Sequence, residues 1–169
     1  VAIVPIEDLN QIMVHGDNSG LVLPPKVAPT QVMIIPIRQQ QEGVLDKAYE
    51  LKDRLSNFRV KVDDTDKSPG WKFSEQEMRG IPVRVEIGPK DIENNQVVVV
   101  RRDTRDKYVV SIDNLTTELR NILETMQQAM YDKAKAFLDS HIYEARTLDE
   151  MVEKFKTDRG LIKACWCGD

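Results

Sequence analysis

The sequence predicts an α/β protein with a mixed five-stranded sheet and three main helices, followed by the start of a small α+β C-terminal domain. Two observations point to this fold class. Apolar, strand-like runs alternate with segments of helical periodicity through residues 26–140, as in β-α-β units with a right-handed parallel crossover. A short turn before Tyr108 separates two further strands and indicates an antiparallel pair. We therefore expect both kinds of pairing in one sheet.

The N-terminal part is expected to contain little regular structure. Residues 1–6 are apolar and suit a strand, whereas residues 16–20 form a turn cluster of Gly, Asp, Asn and Ser. Three prolines fall within residues 24–29, and their fixed backbone excludes a regular helix or a central strand. An extended linker is therefore expected before the first strand of the sheet.

Strands and helices then alternate. Residues 31–37 are apolar, as in a strand that is buried on both faces. Residues 58–62 alternate as a strand, residues 63–70 form a polar loop, and residues 71–78 suit a short helix. Between the first two strands, four apolar residues at helical spacing predict a helix with one core-facing stripe: Val44, Ala48, Leu51 and Leu55.

Three further strands are predicted at residues 83–87, 96–102 and 107–111, with a loop at residues 93–95. In the first of them, apolar and charged side chains alternate, so the two sets point to opposite faces of the sheet. The apolar set is Val83, Val85 and Ile87, and the charged set is Arg84 and Glu86.

The longest helix is predicted to begin after Asp113, a favourable N-cap residue, and to reach about Ser140. Its core stripe comprises Leu115, Leu119, Ile122, Leu123, Met126, Met130 and Phe137. Residues 147–150 (Thr-Leu-Asp-Glu) match a capping box and predict a short helix that ends by Gly160. Residues 161–166 resemble a strand that lacks a partner.

Composition excludes some functions and favours one region. With a formal net charge of −4 and a pI near 5.3, the 169-residue chain is not expected to coat nucleic acid through a large basic surface. Residues 79–107 nevertheless contain seven basic and five acidic residues, which favours this window for a local RNA site. No apolar run approaches the roughly 18–20 residues that a membrane helix needs.

The two ends of the chain suggest its context. The first residues contain neither an initiator Met nor a basic segment, so we expect no signal peptide and regard the chain as a piece of a longer protein. Both cysteines, Cys165 and Cys167, lie among the last five residues. This placement excludes a disulfide framework across the fold and favours a reducing, cytoplasmic setting.

No catalytic constellation is visible. Phosphate-cradling glycine loops are absent from the sequence, and the pattern shows no catalytic base partner for any serine or cysteine. His15 lies in a turn without a second histidine or cysteine nearby, and His141 is expected to cap helix carbonyls. Cys165 and Cys167 would form half of a zinc site, but their one-residue spacing is not that of a structural zinc motif.

The segment of residues 77–91 is the most informative one for function. Its strand is bracketed by Gly and Pro and displays Arg84 and Glu86, with Glu77 and Asp91 just outside the brackets. A guanidinium and carboxylates on a rigid β-element suit recognition of a planar polar ligand better than catalysis. The pattern alone favours a simpler interpretation, a strand with a solvated charged face.

Three phrases in the sequence resemble one family. Residues 15–29 (His-Gly-Asp-Asn-Ser-Gly-Leu-Val-Leu-Pro-Pro-Lys-Val-Ala-Pro), followed by Gln-Val-Met-Ile-Ile-Pro-Ile, resemble the junction between catalytic core and anticodon-binding domain in prolyl-tRNA synthetases of the archaeal/eukaryotic type. Residues 77–91, preceded by Gly-Trp-Lys-Phe at residues 70–73, resemble that domain's anticodon-reading region. Cys167-Gly-Asp resembles the entry to the family's extra C-terminal zinc-binding domain.

The resemblance implies the class IIa anticodon-binding domain fold and a division into three parts. Residues 1–24 would be the tail of a class II catalytic core, atypical at residues 1–11. Residues 25–142 would be the anticodon-binding domain, and residues 143–169 the start of a truncated zinc-binding-like domain. The parent protein would be a cytoplasmic, homodimeric proline–tRNA ligase that uses ATP and Mg²⁺ and binds the anticodon stem-loop of proline tRNA but no membrane.

By the same resemblance, Glu77, Arg84 and Asp91 match positions that contact anticodon bases, and Lys107 falls at a further basic contact. The proline anticodon contains two guanines, whose N1 and N2 donors suit a carboxylate and whose O6 and N7 acceptors suit an arginine fork. Glu86 is expected either to orient Arg84 or to form a simple salt bridge with it.

The remaining candidates have weaker support. Arg102 and its neighbour Arg101 are expected to contact backbone phosphates or to be solvated charges. Trp71 and Phe73 suit either stacking on unpaired bases or core packing. Cys167 is a candidate zinc ligand of an incomplete site, and no residue of the chain is expected to be catalytic.

The sequence also departs from the family pattern. Residues 1–11 contain no arginine, although an ATP-binding arginine is expected shortly before the His-Gly-Asp turn. The first two class II motifs are absent, and three zinc ligands would lie beyond Asp169. The chain alone is therefore expected neither to form prolyl-adenylate nor to hold zinc tightly. Two alternatives are a non-catalytic paralogue that acts as a protein-interaction or regulatory module, and a small-molecule-binding α/β domain, which the lack of a phosphate loop disfavours.

Overall fold

The computed structural model describes residues 13–158 and 160–166. The chain divides into two compact units, Val1–Gln127 and Gln128–Asp169. The division falls inside the longest helix, so the domain limits expected from the sequence stay predictions. The strand predicted at residues 1–6 lies outside the described residues.

A mixed five-stranded sheet organises the first unit, as the sequence predicts. After the short hairpin of β1 (Gly16–Asp17) and β2 (Gly20–Leu21), the sheet consists of β3 (Val32–Pro36), β4 (Val60–Val62), β5 (Val83–Ile87), β6 (Gln96–Arg101) and β7 (Lys107–Ser111). The spatial order is β4-β3-β5-β6-β7. Strand β3 runs parallel to β4 and β5, whereas β5, β6 and β7 pair antiparallel.

Three of the four helices that accompany this sheet lie where the sequence predicts them, and the short helix at Pro89–Glu93 does not. They are α1 (Val44–Arg54), α2 (Pro69–Met78), the short α3 (Pro89–Glu93), and α4 (Leu115–Ser140), which follows a 3-10 turn at Ile112–Asn114. Helix α2 begins where Ser68 accepts a hydrogen bond from Trp71 N and a proline occupies the first turn. Helix α3 occupies part of what the sequence suggested was a loop.

One face of the sheet forms the main hydrophobic core. The apolar side chains of β5 share this face with those of β3, β6 and the stripe of α1, together with the first turns of α4. Each fully buried Val, Leu or Ile of this kind contributes about 1.5–3 kcal/mol relative to an exposed one. The predicted stripe of α4 is buried at Leu115, Leu119, Leu123 and Met126, but Phe137 is exposed.

The opposite face is covered only in part, and this face positions the charged residues of interest. Met33, Ile35 and Ile81 form a second, smaller cluster with Ile37 and Phe73, the latter from α2. Helix α2 therefore lies over one side of this face.

The structure contradicts the predictions for residues 24–29 and for Asp113. Residues 24–29 form a turn rather than an extended linker, because the amides of Val27 and Ala28 both donate to Pro24 O. Asp113 does not cap α4: the helix is entered through the 3-10 turn, where Ser111 Oγ accepts from Asp113 N at 3.3 Å. The turn at residues 24–29 is held from outside by Arg59, which donates to Ala28 O at 2.9 Å and to Pro25 O at 2.9 Å.

The second unit contains the end of α4, β8 (Ile142–Ala145), α5 (Leu148–Thr157) and β9 (Leu161–Ala164). The capping box at Thr147 and Glu150 is confirmed. The prediction that the last strand lacks a partner is wrong, because β9 pairs in parallel with β8. Among the described residues, no helix is long and apolar enough to cross a membrane.

The β1–β2 hairpin packs closely against the end of α2. Gly20 has a φ of +134°, and a Cβ at this position would clash with the Cα of Met78 and lie 2.9 Å from Glu77 O. Just beyond the hairpin, Leu23 N donates to Gly80 O at 3.3 Å. The backbone of the hairpin therefore fits against that of α2 only because residue 20 lacks a side chain.

We expect Gly20→Ala to lower the free energy of unfolding by about 1–3 kcal/mol, since the new methyl group meets backbone atoms and the φ is unfavourable. Gly70→Ala is the matched control. Gly70 lies in α2 with open space around its Cα, so alanine there should raise the free energy of unfolding by about 0.4–1 kcal/mol. Urea unfolding followed by circular dichroism measures both, and equal effects would contradict the close packing.

Candidate functional site

Arg84 lies at the centre of the candidate site and is buried, although it belongs to the charged face of β5. Its side chain is 9% exposed, and its Nε donates to Glu86 Oε1 at 2.9 Å. Its Nη1 lies 3.5 Å from Glu77 Oε1. The guanidinium also rests on the ring of Phe73, 4.1 Å from the ring centroid. The solvated charged face that the pattern favours is therefore wrong for this strand.

These contacts leave one end of the guanidinium available. Nη2 of Arg84 donates to no acceptor among the residues that the structure describes, and it is not among the buried unpartnered atoms of that part of the chain. Because Glu86 binds Nε and the plane of the guanidinium rests on the ring of Phe73, the Nη2 edge of Arg84 has a fixed direction. Such an edge can donate to an acceptor of a bound ligand without first losing rotamer freedom.

Lys107 lies on the same face and in the same row as Arg84. The register pairs Arg84 with Val100 and Val100 with Lys107, so all three side chains point to one side of the sheet. Two strand spacings of roughly 4.8 Å separate the α-carbons of Arg84 and Lys107. Lys107 is exposed, so its ammonium can reach a ligand that contacts Arg84.

Glu77 and Asp91 are both on helices: the sequence predicts the helix that contains Glu77 but not the one that contains Asp91. Glu77 is in the last turn of α2, with its side chain 32% exposed beside Arg84. Asp91 is the third residue of α3, where its Oδ2 accepts from Gly88 N at 2.9 Å. Since α3 follows the other end of β5, Asp91 is separated from Arg84 by the rest of the strand. The structure thus brings Glu77, Arg84 and Lys107 together and places Asp91 farther along.

Arg102 lies behind this group rather than on its surface. Its side chain is 3% exposed, and both terminal nitrogens donate to the carboxylate of Asp17, at 2.8 and 2.7 Å. Its Nε donates to the backbone carbonyl of Glu77 at 3.1 Å. The interpretation of Arg102 as a solvated charge is therefore wrong, and a contact with a phosphate stays a prediction. Arg101 is likewise engaged, with Asp103 at 2.7 Å.

The Asp17 carboxylate accepts several hydrogen bonds. Those from Arg102 hold the pKa of Asp17 well below its usual range, and the amide of Ser19 lowers it further. Arg105 lies 4.0 Å from the same carboxylate and donates to Ser19 Oγ at 2.6 Å. The hairpin thus has two arginine contacts, both from the region where β6 ends and β7 begins.

A buried polar cluster holds the other end of α2. Lys72, almost fully buried, donates to Asp63 O at 2.8 Å and to Gln39 Oε1 at 3.0 Å. Gln76 Nε2 donates to Asp63 Oδ2 at 3.1 Å, while Gln76 Oε1 is buried and has no partner among the described residues. These bonds fix the helix that supplies Phe73 and Glu77 to the site.

Trp71 and His141 make contacts with residues other than Arg84. Trp71 is exposed, with Lys67 Nζ at 5.4 Å from its ring centroid. His141 Nδ1 lies 2.7 Å from Phe137 O, as expected for a residue at a helix end. Cys167 lies outside the described residues, and among the described ones no group of three or more His, Cys, Asp or Glu is arranged to hold a metal.

The contact that sequence reasoning missed is that of Asp17 with Arg102. The two residues are 85 positions apart, and no spacing or motif connects them. The arrangement as a whole offers a fixed guanidinium edge, a half-exposed carboxylate and an exposed ammonium on one face. It suits recognition of a planar, hydrogen-bonding group next to an anion.

Comparison with known proteins gives these features a context. A family model described as "Anticodon binding domain" matches residues 31–122. Among similar curated proteins, the proline–tRNA ligase of Lachnoclostridium phytofermentans is 63% identical over 158 residues, that of Agathobacter rectalis 65% over 159, and that of Clostridium novyi 59% over 159. Each alignment covers 94% of this chain and 33% of the relative, so the chain spans about a third of their length.

The ion pair of Asp17 predicts a specific dependence of stability on pH. Because the pKa of Asp17 is lower in the folded than in the unfolded chain, its stabilising contribution is present above about pH 4, the unfolded value, and is lost as the pH falls toward the folded value. At pH 7 we expect Asp17→Asn to lower the free energy of unfolding by about 1–2 kcal/mol.

Chemical denaturation of both proteins between pH 7 and pH 2 measures this dependence. The difference between wild type and Asp17→Asn should be constant from pH 7 to pH 5 and shrink below about pH 4. A difference that persists unchanged at pH 2 would contradict the ionised pair.

Proposed function

The chain belongs to the anticodon-binding domain family, and on this premise we propose that it reads the anticodon of proline tRNA as part of a proline–tRNA ligase. The observation that carries the proposal is the fixed guanidinium of Arg84, whose free edge lies on the same sheet face as Lys107 and beside Glu77. The name and high identity of the clostridial relatives support the choice of proline tRNA.

The chemistry of guanine fits this arrangement. Guanine presents O6 and N7 as acceptors on one edge, and N1 and N2 as donors on another. Arg84 would donate to the acceptor edge through Nη2, while the carboxylate of Glu77 would accept from N1 and N2 of a guanine. Glu86 would not touch the base; it would hold Arg84 in the orientation that its Nε bond defines.

The other three candidate residues would contact RNA in different ways. Lys107 is exposed and would bind a backbone phosphate rather than a base edge. Asp91 would contact a base through Oδ1, because Oδ2 already caps α3. Arg102, the fifth candidate, has its three nitrogens bound within the fold, and a phosphate contact would require it to leave Asp17.

We propose that the chemistry of aminoacylation belongs to the rest of the parent ligase. ATP and Mg²⁺ would bind the class II catalytic core, of which this chain contains at most the tail, and the chain alone would be inactive. Zinc would require ligands beyond Asp169 in addition to Cys167. We further propose that the parent enzyme is a cytoplasmic homodimer.

The archaeal/eukaryotic type of the ligase is likewise a proposal. It rests on the His-Gly-Asp junction at residues 15–29 and on the Cys-Gly-Asp segment at residues 167–169. The relatives named above are bacterial, so the type would be defined by sequence rather than by kingdom. The zinc ligands expected downstream of residue 169 in the full-length gene test this assignment.

A non-catalytic paralogue that uses the same domain for protein interaction is the alternative function. It predicts equal affinity for proline tRNA and for other tRNAs. Aminoacylation of proline tRNA by the full-length gene product would exclude it.

We expect Arg84→Ala to weaken binding of the proline anticodon stem-loop by about 1–3 kcal/mol and to reduce the preference for guanine, because the Nη2 donor to the guanine acceptor edge is lost. Arg84→Lys keeps the charge near Glu86 but not the fixed Nη2 donor, so it should lose the preference with a smaller effect on folding. Filter binding with wild-type and guanine-to-adenine stem-loops measures both variants. Unchanged preference in Arg84→Lys would contradict base reading by Arg84.

Lys107→Gln should weaken binding to all stem-loops by a similar factor and lower the magnitude of the salt slope by about 1, because one phosphate contact is removed. Lys61→Gln is the matched control: Lys61 pairs with Met33 in the same row, but on the opposite edge of the sheet. Binding across a salt titration measures the slopes, and equal slopes for the two variants would contradict an RNA path along β6 and β7.

A further inference from the structure

We propose that Arg102 is a positioning residue for base recognition, which ties the β1–β2 hairpin to the last turn of α2 and thereby sets where Glu77 presents its carboxylate. The inference rests on the proposed function, since Glu77 is one of the residues assigned there to base reading. It assigns Arg102 a role different from that of a phosphate contact.

The first support is that all three side-chain nitrogens of Arg102 donate hydrogen bonds within the fold. Nε donates to Glu77 O at 3.1 Å, and the two terminal nitrogens donate to Asp17 at 2.8 and 2.7 Å. The side chain is 3% exposed. A phosphate could bind the terminal nitrogens of Arg102 in the same way only by displacing a carboxylate that is already in bidentate geometry.

The second support is the particular carbonyl that Arg102 binds. The Glu77 carbonyl belongs to the final turn of α2, where helix carbonyls have no further intrahelical partner. It accepts from Arg102 and also from Gly80 N at 3.1 Å. Both bonds fix the backbone of Glu77, and the direction of its side chain toward Arg84 follows from that backbone.

The third support is the close fit of the hairpin on the same turn. Gly20 allows the backbone of β2 to approach Met78 and Glu77, and Arg105 donates to Ser19 Oγ at 2.6 Å in the hairpin turn. Asp17 and Glu77 are therefore linked through one side chain, although they belong to different elements. A shift of the hairpin would move the end of α2 and with it the carboxylate of Glu77.

The test compares Asp17→Asn with Asp103→Asn in the whole chain. Both changes remove one carboxylate charge from a bidentate pair with an arginine, but Asp103 binds Arg101, whose side-chain hydrogen bonds within the described part of the chain go to Asp103 and not to Glu77. The RNA probes are the proline anticodon stem-loop and the same stem-loop with each anticodon guanine replaced by adenine. The measured quantity is the ratio of the two dissociation constants, at several salt concentrations.

We expect Asp17→Asn to reduce the guanine preference about tenfold without changing the salt slope, and Asp103→Asn to leave the preference unchanged. Arg102→Lys should reduce the preference to a similar extent, and the double variant should show no further loss. If Arg102 instead contacts a phosphate, Asp17→Asn will bind equally or more tightly, Arg102→Lys will retain binding, and Arg102→Gln will lower the salt slope by about 1. That outcome would overturn the proposal.

Amide hydrogen exchange separates this proposal from the proposed function. The amides of Gly80 and Leu23 donate across the end of α2, so both should exchange faster in Asp17→Asn than in wild type, at a pH where both proteins are folded. A wild-type chain without any guanine preference would refute the proposed function. Unchanged exchange at both amides would refute the positioning role, whatever the RNA result.

Discussion

A buried cation is stable only where carboxylates and carbonyls replace its water, and this constraint determines where α2 lies. Lys72, on α2, reaches Asp63. Arg84, on the sheet below, pairs with Glu86 and lies beside Glu77 at the end of the helix. Leaving any such charge without its partner costs several kcal/mol, so the contacts of Lys72 with Asp63 and of Arg84 with Glu77 exclude alternative placements of the helix. The helix that frames the site is therefore held by charge pairing as well as by its small apolar contact through Phe73.

The same constraint explains how one arginine can be both buried and useful. Glu86 accepts a hydrogen bond from Nε of Arg84, and Phe73 packs against the plane of the guanidinium. The Nη2 edge is left for a ligand. A freely rotating surface arginine would lose side-chain entropy on binding, whereas Arg84 has lost it already in folding. Rigid presentation favours discrimination between bases, because a base with a donor at the wrong position would leave the guanidinium edge or its own group unpaired.

Much of the fold could be predicted because local periodicity decides it. The stripe of α1 and the alternation of β5 follow from the spacing of apolar residues, and the short turn before Tyr108 indicates the antiparallel pair. Alternation also identifies the face on which Arg84 lies, but not that α2 covers it. The pairing of β8 with β9 and the contact between Asp17 and Arg102 have no local signal, since partners far apart in sequence are chosen by packing. Asp113 shows the limit of capping rules, because a 3-10 turn moved the start of α4.

If the chain recognises RNA as proposed, its acidic composition requires that selectivity come from more than charge. Net charge is −4, and the arginines around the site are paired: Arg84 with Glu86, Arg101 with Asp103, and Arg102 with Asp17. Each pair cancels most of the long-range field that would attract any phosphate backbone. What remains at short range is the direction of hydrogen-bond donors and acceptors, which differs between bases. Pairing the arginines would thus weaken nonspecific binding of a phosphate backbone more than recognition of a base, which is the difference that the proposed reading of an anticodon requires.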